Sequence, residues 1–392
     1  MDNFNFYSPT EFVFGKKREC ETGKYVKKFG GSKVLVHFGS KSAEKSGLLD
    51  NVCRSLDDNG IKYIKLGGVK PNPRDVLVYG GIDICRREKI DFILAVGGGS
   101  VIDSSKAIAA GVNYPGDFWD FYSGKSEITS ALPVGTVLTI SAAGSEGSGD
   151  SVITKEDGMI KRGTGSDFLR PKFSVLDPEL TFTLPAFQTA CGITDIMAHV
   201  YERYLTKTEN VEITDRLCEA VLKTMIAEAP NVISDPENYE ARANIMWAGT
   251  VAHTNVVGVG RSQDWTSHML EHELSGLYDC AHGAGLAVIM PSFMEYVYKN
   301  DIDRFAKSAV RIWNCEMNFD HPEITALEGI KAFRRFLHSI GMPVNFSELG
   351  AKKEDIPVLI EKLGIKDGKI GYADLDAAGC KAVYEIAAEA SL

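Results

Sequence analysis

The stretch Phe92-Ile93-Leu94-Ala95-Val96-Gly97-Gly98-Gly99-Ser100 decides the fold, because a short apolar run ends in a cluster of glycines. Such a run, bounded by glycines, is typical of a buried strand in a parallel sheet. The residues that follow, Val101–Ala110, have the composition of a helix. In open parallel sheets, ligands bind at the carboxyl ends of the strands. We therefore expect this strand–glycine–helix unit to contribute to a binding site.

On both sides of this unit, strand-like runs alternate with helical patterns. The predicted strands are Lys33–Phe38, Ile61–Leu66, Asp91–Val96, Pro133–Ile140, Ser151–Thr154 and Phe173–Leu176. The helices predicted between the first three strands are Ala43–Asp58 and Arg74–Lys89. This β-α-β-α-β order predicts an α/β fold, in which a parallel sheet has helices on both faces.

The pattern of predicted secondary structure changes after Thr183-Leu184-Pro185, where strand-like runs disappear. The long helical patterns beyond this point are Ile213–Ala229, Tyr239–His253, Ile324–Ile340 and Ala373–Ala388. We therefore predict an α/β domain over residues 1–185, followed by an all-helical domain over residues 186–392.

The composition indicates an acidic soluble protein. The chain has 392 residues, with 43 Lys and Arg against 53 Asp and Glu, and a net charge of −10. Nucleic-acid binders normally carry a basic excess or stripe, and no apolar run approaches the roughly 20 residues of a membrane helix. The start is polar, and the 8 dispersed cysteines form no CxxC pair, which is typical of reduced thiols. We expect a cytoplasmic protein with no nucleic-acid or membrane partner.

Three loops are candidates for binding the phosphates of a nucleotide. The glycines of Gly97–Ser100 allow close approach to the backbone at a helix N-terminus, although a tight turn explains the cluster equally well. The loop Gly39-Ser40-Lys41-Ser42 lacks the acidic residue of NAD-selective sites, and its hydroxyls and ammonium suit the 2′-phosphate of NADP. A solvated turn is the alternative there. Gly135–Glu146 supplies small and hydroxyl residues after a strand, and is otherwise a flexible loop.

Histidines are concentrated in the second half of the chain, where five of the 8 lie between His199 and His282. Asp195 and His199 are four residues apart on one face of a helix, and His268 and His272 repeat that spacing. One carboxylate with three imidazoles is a suitable ligand set for Fe(II) or Zn(II). The spacing leaves several candidates open for the other imidazoles, namely His253, His268, His272 and His282. The remaining histidines, for which we expect structural roles, are His37, His321 and His338.

The same segment does not match a zinc protease. Its pattern is not HExxH, because Glu271 directly precedes His272. We expect Glu271 to point away from the metal-facing side of the helix, which disfavours metal-dependent hydrolysis.

Several of these motifs together resemble one family, the iron-containing (group III) alcohol dehydrogenases. They are Asn72-Pro73, Gly97-Gly98-Gly99-Ser100 with Asp103, Asp195-xxx-His199, His268-Met269-Leu270-Glu271-His272 and Asp279-Cys280-Ala281-His282-Gly283. The opening stretch from Asn5 to Gly15 and the segment Val137-Leu138-Thr139 resemble the butanol dehydrogenase branch. The resemblance covers nearly the whole chain, and its metal motif is the most specific part.

The resemblance implies a nucleotide domain, a helical metal domain and a cleft between them. The metal ligands it implies are Asp195, His199, His268 and His282, and His272 is then a near neighbour able to relay a proton. The nucleotide contacts it implies are Gly97, Gly98, Gly99 and Ser100 at the pyrophosphate with Asp103 behind them, Asn72 near the adenosine, Thr139 near the phosphates, and Lys161 reaching the cofactor.

Two positions depart from the family pattern. Members of the butanol branch often have Gly-Gly-Gly-Ser where this chain has Gly39-Ser40-Lys41-Ser42. Ser42 then takes the place of the serine at the 2′-phosphate, and Lys41 adds a cation, so we predict NADP, with NAD as the alternative. The family's Ala-Thr-Gly-Ser-Glu is Ala142-Ala143-Gly144-Ser145-Glu146 here. Ala143 lacks the hydroxyl, which removes a potential cofactor contact.

The resemblance implies reversible hydride transfer between NADP(H) and a short-chain primary alcohol or aldehyde such as butanol or butanal. Lewis-acid polarisation of the aldehyde oxygen would assist it, and three neutral imidazoles with one carboxylate would leave the metal site net positive. The alternatives are a glycerol or polyol dehydrogenase, a lyase of the dehydroquinate synthase type, and a binding protein without turnover. We expect a homodimer, since the strand-like run Glu11–Phe14 could pair with a neighbour's edge.

Overall fold

The chain folds into two compact units in the computed structural model, which describes residues 1–39, 42–365 and 368–392, without the side chain of Ser42. The α/β unit comprises Tyr7–Leu184 and Glu237–Thr254, and the helical unit comprises Met1–Phe6, Pro185–Pro236 and Asn255–Leu392. The chain passes from the helical unit to the α/β unit at Phe6 and Tyr7, and returns to the helical unit at Leu184 and Pro185. Two segments do not follow a single division at residue 185, namely Met1–Phe6 and Glu237–Thr254.

The elements are numbered in chain order. The strands are β1 (Glu11–Phe14), β2 (Lys33–Phe38), β3 (Lys62–Leu66), β4 (Phe92–Gly97), β5 (Val134–Leu138), β6 (Asp150–Lys155), β7 (Ile160–Gly165) and β8 (Phe173–Leu176). The α-helices are α1 (Thr22–Lys28), α2 (Ser42–Lys45), α3 (Leu48–Asp58), α4 (Asp75–Glu88), α5 (Gly99–Val112), α6 (Trp119–Tyr122), α7 (Ala186–Tyr204), α8 (Glu212–Ser234), α9 (Tyr239–His253), α10 (Thr266–Tyr278), α11 (His282–Val297), α12 (Ile302–Trp313), α13 (Pro322–Ser339), α14 (Phe346–Leu349), α15 (Ile356–Leu363) and α16 (Ala377–Glu389).

The α/β unit is built on a six-stranded sheet in the order β1-β8-β5-β4-β2-β3. All neighbouring strands are parallel, as the sequence predicts. From β2 the chain first adds β3 on one side, and then returns to place β4 on the other side. This reversal makes the carboxyl ends of β2 and β4 the topological switch point, where doubly wound sheets bind their ligands.

The central strands are buried on both faces, which explains their continuous apolar runs. On β2, Val34 and Val36 belong to one apolar cluster and Leu35 to another, and all three are fully buried. On β4, Leu94 and Ile93 divide between the same two clusters. The alternation of side chains along a strand therefore supplies the core on both sides of the sheet.

Three expectations for this unit change in detail. The strand predicted at Ser151–Thr154 lies in β6, which pairs antiparallel with β7 in a separate hairpin. The helix predicted at Ala43–Asp58 is divided into α2 and α3 by Gly47, whose φ of 76° interrupts the helical path. Glu11–Phe14 forms β1, which pairs with β8 of the same chain.

The helical unit carries the residues of the predicted metal site on three helices. Helix α11 packs against both α7 and α10. Asp279, with a left-handed φ of 50°, ends α10 and allows the chain to turn before α11 begins at His282. The turn thereby returns His282 toward the helix that carries His268. Among the described residues, no helix combines the length and the apolar character needed to cross a bilayer.

Candidate metal centre and nucleotide loops

The four predicted metal ligands converge around one carboxylate oxygen. Asp195 and His199 lie one turn apart on α7, His268 lies on α10, and His282 is the first residue of α11. The Nε2 atoms of the three histidines are each 3.7 Å from Oδ1 of Asp195. Atoms bound tetrahedrally at the ordinary metal–nitrogen and metal–oxygen distances of about 2.1 Å are about 3.4 Å apart. Ligand-capable atoms of Asp195, His268 and His282 also lie within 4.8 Å of one another, so these three have nearly the spacing that one divalent transition-metal ion requires. His199 approaches the same carboxylate oxygen.

Two atoms of this cluster lack the hydrogen bonds that buried polar atoms normally make. Oδ1 of Asp195 and Nε2 of His268 are buried and have no hydrogen-bond partner among the described residues. Leaving such atoms unsatisfied costs about 1–3 kcal/mol each. The rings of His199 and His268 stack at 4.6 Å between centroids, an arrangement that disfavours two imidazolium charges. Neutral imidazoles and an ionised aspartate are the forms in which these groups bind a metal.

Two buried glutamates lie behind the histidines. Nδ1 of His268 donates to Oε2 of Glu202 at 2.7 Å, and Nδ1 of His282 donates to Oε2 of Glu271. Burial lowers the pKa of His268, but the carboxylates of Glu202 and Asp195 together outweigh it and raise that pKa to about 9. The ring must therefore release a proton when its Nε2 binds a metal ion. Sequence reasoning missed Glu202, although its position three residues after His199 places it near the same helix face.

The expectation that Glu271 points away from the site is wrong. Glu271 is fully buried, and its carboxylate contacts the ring of His282. The reason is helical geometry, since Glu271 follows His268 by three residues and so lies close to the same face of α10. Together the two glutamates also change the expected charge of the centre. Two carboxylates bonded to imidazole N–H groups offset the net positive charge that the four ligands alone would leave with a divalent cation.

His272 lies beside the cluster. Its ring centroid is 5.6 Å from that of His282 and 6.4 Å from that of His268. Ligand-capable atoms of Glu271, His272 and His282 form a second group within 4.8 Å. His272 is therefore adjacent to the predicted ligands His268 and His282.

The remaining histidines have other surroundings. His253 belongs to the α/β unit, where its Nε2 lies 3.5 Å from Oδ2 of Asp150. His37 is buried in β2, with one ring nitrogen 2.8 Å from the carbonyl of Leu66 and the other 2.9 Å from the hydroxyl of Ser104. His321 lies on the surface next to Glu323.

Trp265 is another residue that the sequence reasoning did not identify. Its ring meets those of His199 and His268 edge to face, at 5.7 and 5.4 Å between centroids. The guanidinium of Arg203 lies 4.7 Å from the centroid of the same ring. Trp265 thus forms an apolar wall beside two of the predicted ligands.

The glycine loop joins β4 to α5 in the α/β unit. Gly98 is the N-cap of the 14-residue helix α5. A Cβ atom on Gly98 would lie 3.1 Å from Ile140, and one on Gly97 would lie 2.5 Å from Val101. A side chain at Gly97 would therefore collide with Val101, and one at Gly98 would press against Ile140. Gly99 and Ser100 occupy the first turn of the helix. A helix N-terminus of this kind attracts phosphate.

The other predicted nucleotide loop follows the neighbouring strand. Phe38 of β2 pairs with Val96 of β4, so the chain leaves both strands at the same level of the sheet. Gly39 accepts a backbone hydrogen bond from Gly68 at 2.9 Å. Ser40 and Lys41, and the side chain of Ser42, lie outside the described part of the structure, so their predicted contacts with a 2′-phosphate remain predictions.

Of the three further predicted contacts, Thr139 is attached to the glycine loop, whereas Asn72 and Lys161 both lie beside Thr154 of β6. The N–H of Thr139 donates to the carbonyl of Gly97 at 3.2 Å, which attaches the end of β5 to the glycine loop. Asn72 is buried with a left-handed φ of 51°, and the following Pro73 accepts a hydrogen bond from Thr154 of β6 at 2.8 Å. Lys161 of β7 pairs with the same Thr154 and is 5% exposed.

Asp103 faces the protein rather than the glycine loop. Its carboxylate accepts from the hydroxyl of Ser145 at 2.6 Å and from the N–H of Val152 at 3.0 Å. One turn later on α5, Lys106 is fully buried and donates to backbone carbonyls at 2.7–2.9 Å. These carbonyls belong to Ser145, Ser148 and Asp150. Lys106, which the sequence reasoning missed, thus fixes the segment that follows β5.

Comparison with known proteins places the chain in a family. The family model for iron-containing alcohol dehydrogenases matches residues 9–178, and the model for the C-terminal part of that family matches residues 189–389. NADH-dependent butanol dehydrogenase A of Clostridium acetobutylicum is 41% identical over 92% of this chain and 93% of that protein. The NADPH-dependent aldehyde reductase YqhD of Escherichia coli is 38% identical over 93% of each.

A solved structure gives the same result. The crystal structure of NADH-dependent butanol dehydrogenase A from Thermotoga maritima has a TM-score of 0.96 and 38% identity, and the match covers 99% of both chains. The similarity therefore includes the sheet, the glycine loop and the helices that carry the histidine cluster. The chain belongs to the iron-containing alcohol dehydrogenase family.

Proposed function

We propose that this oxidoreductase reduces short-chain aldehydes such as butanal to primary alcohols, and catalyses the reverse reaction, with NADP(H) and one divalent metal ion, Fe(II) or Zn(II). The observation that carries the proposal is the convergence of three histidine Nε2 atoms at 3.7 Å from Oδ1 of Asp195. The names of the relatives support the substrate class, since they refer to butanol and to aldehydes.

The residues proposed to hold the metal are Asp195, His199, His268 and His282. A bound divalent ion supplies Lewis-acid polarisation of the aldehyde oxygen. The protein's own contribution is to present three imidazole lone pairs and one carboxylate in fixed positions, and to exclude water with residues such as Trp265. His272, beside His282, is proposed to exchange a proton with the alcohol or alkoxide oxygen.

The glycine loop is proposed to bind the pyrophosphate of the nucleotide. The first turn of α5 contains Gly99 and Ser100. Its free backbone N–H groups form the positive end of the helix dipole and would bind the phosphates. Lys161 and Thr139 are proposed as further contacts. The preference for NADP(H) rests on Ser40, Lys41 and Ser42 alone, and the relatives include both NADH-dependent and NADPH-dependent enzymes.

The alternatives have less support. A glycerol or polyol dehydrogenase shares the fold, but the relatives described above are named for butanol and aldehyde substrates. A lyase acting on a carboxylated substrate would need several cations near the ligands. In the stretches beside them, residues 194–202 and 265–278, the ionisable side chains are only Asp, Glu, His and Tyr. The nearby Arg203 and Arg261 donate to backbone carbonyls, and Arg261 also pairs with Asp215. A binding protein without turnover is separated from an enzyme by the assay below.

The proposal is tested by metal analysis after oxygen-free purification, combined with rates of NADPH and NADH oxidation on a series of short-chain aldehydes. We expect one iron or zinc per chain, and aldehyde-dependent consumption of the reduced nucleotide. Tight nucleotide binding without consumption would contradict an enzymatic role, and absence of bound metal would contradict the assigned cluster.

We also propose that the protein is a cytoplasmic homodimer. Light scattering of the purified full-length chain tests the assembly, with an expected mass of about twice the 42.8 kDa of one chain. A mass of one chain at working concentration would contradict the dimer.

A further inference from the structure

We propose that Glu202 and Glu271 set the metal affinity of the centre by holding the Nδ1–H groups of His268 and His282. The inference rests on the proposed metal-dependent function and extends it to two residues outside the predicted ligand set. Both are positioning residues, because they act on the metal only through an imidazole ring.

Glu202 holds His268 at two points. Its Oε1 accepts from the backbone N–H of His268 at 3.0 Å, and its Oε2 accepts from Nδ1 at 2.7 Å. Glu202 is 2% exposed, so water does not compete effectively for either bond. One carboxylate on α7 thus fixes both the start of α10 and the orientation of its ligand ring.

Glu271 contacts His282 from a position that is open only because residue 285 is a glycine. Gly285 lies three residues after His282 on α11, and a Cβ atom there would lie 2.6 Å from Oε1 of Glu271. Glycine inside a helix costs roughly 0.5–1 kcal/mol relative to alanine. At this position the missing Cβ makes room for the buried carboxylate, so Gly285 is part of the same arrangement.

The carboxylates act on the metal by fixing the form of the imidazoles. A neutral imidazole has one proton, and a hydrogen bond from Nδ1–H to a carboxylate keeps that proton away from Nε2. The Nε2 lone pair is then available to a metal ion that binds beside Oδ1 of Asp195, which lies 3.7 Å away, and the negative carboxylate makes the ring a stronger donor. Loss of such an outer partner typically lowers metal affinity or activity 10–100-fold.

The test measures metal retention by the full-length, metal-loaded protein. The wild type, Glu202→Gln, Glu271→Gln and Gly285→Ala are equilibrated with a graded series of chelator concentrations, and the retained metal is counted by elemental analysis. Glutamine keeps the size and a hydrogen-bond acceptor but removes the charge. Gly285→Ala leaves every carboxylate in the chain and displaces only the carboxylate of Glu271.

Glu219→Gln is the matched control. Glu219 is buried in the same unit at 4% exposure, but its carboxylate accepts from Arg216 and Arg311 rather than from a histidine. We expect half-loss of metal at about 10–100-fold lower chelator concentration for the three test variants. Glu219→Gln is expected to retain metal like the wild type. Melting curves of the chelator-treated proteins establish that each variant is folded.

The outcomes separate the two proposals. A wild type that holds no metal overturns the proposed function itself. A wild type that holds one metal, with Glu202→Gln and Glu271→Gln retaining it equally well, overturns the present inference alone. Equal loss from Glu219→Gln also overturns it, because the effect would then follow from removal of any buried carboxylate. If Glu202→Gln does not fold, Glu271→Gln and Gly285→Ala decide the question.

Discussion

The metal centre and the glycine loop are both supported by buried charges, but of opposite sign. In the helical unit, the carboxylates of Glu202 and Glu271 hold imidazole N–H groups. In the α/β unit, the ammonium of Lys106 holds the carbonyls of the segment that follows β5. In the proposed function, the metal centre would offer side chains to its ligand, whereas the glycine loop would offer backbone N–H groups. In both places, therefore, buried charged side chains hold in position the groups that are proposed to bind the ligand.

The largest effect is expected from a variant that disrupts only the predicted metal centre. Replacing His199 with alanine removes one of four ligands, so metal content should fall to near zero and aldehyde reduction about a thousandfold, equal to about 4 kcal/mol. Elemental analysis and steady-state rates measure the two losses. His321→Ala, at an exposed histidine beside Glu323, is the control. Full metal content in His199→Ala would contradict the ligand assignment.

Lys106→Met removes the buried ammonium that supports the segment beside the glycine loop. Without the ammonium, three backbone carbonyls and the buried carboxylate of Asp103 lose their cation, and removing one partner of such an arrangement costs about 3 kcal/mol. We expect a matching fall in the free energy of unfolding and a KM for the nucleotide raised about tenfold, while metal content stays at the wild-type level. Denaturant titration and nucleotide kinetics measure these effects.

The control for this variant is Lys125→Met, since Lys125 is 74% exposed in its side chain. Lys125→Met should match the wild type in both measurements. Wild-type stability and nucleotide affinity in Lys106→Met would show that the loop does not depend on the buried ammonium.

His37 gives the α/β unit a dependence on pH. Burial lowers the pKa of His37 from 6.5 to about 4. Between these values the unfolded chain binds more protons than the folded one, so the stability contribution is complete above pH 6.5 and is lost as the pH falls toward 4. The full loss is about 3 kcal/mol. Denaturant titrations at several pH values should show a shallower pH dependence for His37→Asn than for the wild type, and equal slopes would contradict this role.

The smallest effect concerns nucleotide choice. If Lys41 contacts the 2′-phosphate, Lys41→Ala should lower the NADPH-to-NADH ratio of kcat/KM about fivefold, which corresponds to about 1 kcal/mol for an exposed charge pair. Lys45→Ala, which removes a nearby lysine of α2, serves as the control. An unchanged ratio would show that the preference is set elsewhere.

Much of the fold follows from the sequence because its signals are local. The parallel sheet is confirmed, since buried strands such as Phe92–Gly97 are continuous apolar runs bounded by glycine. The family and its butanol dehydrogenase branch are also confirmed. Long-range contacts account for what the sequence did not predict. The helix Tyr239–His253 joins the α/β unit, and helical periodicity does not reveal which unit a helix packs against.

The candidate site shows the same limit. Asp195 and His199 were identifiable because a metal needs those side chains and a helix fixes their spacing. Glu202 and Lys106 were not, because a charged residue in a helix is usually solvated, and only the tertiary structure shows that these two are buried. The side of α10 on which Glu271 lies was predicted wrongly from its neighbour His272. Its position is instead set by His268, which precedes it by about one helical turn.

The central claim is that one divalent metal ion binds at Asp195, His199, His268 and His282. Anomalous diffraction from crystals of protein purified without oxygen, measured at the iron and zinc absorption edges, tests it most directly. We expect a single strong peak about 2.1 Å from Oδ1 of Asp195 and from the Nε2 atoms of the three histidines. A peak held by other residues, or these four groups hydrogen-bonded to one another with no peak between them, would contradict it.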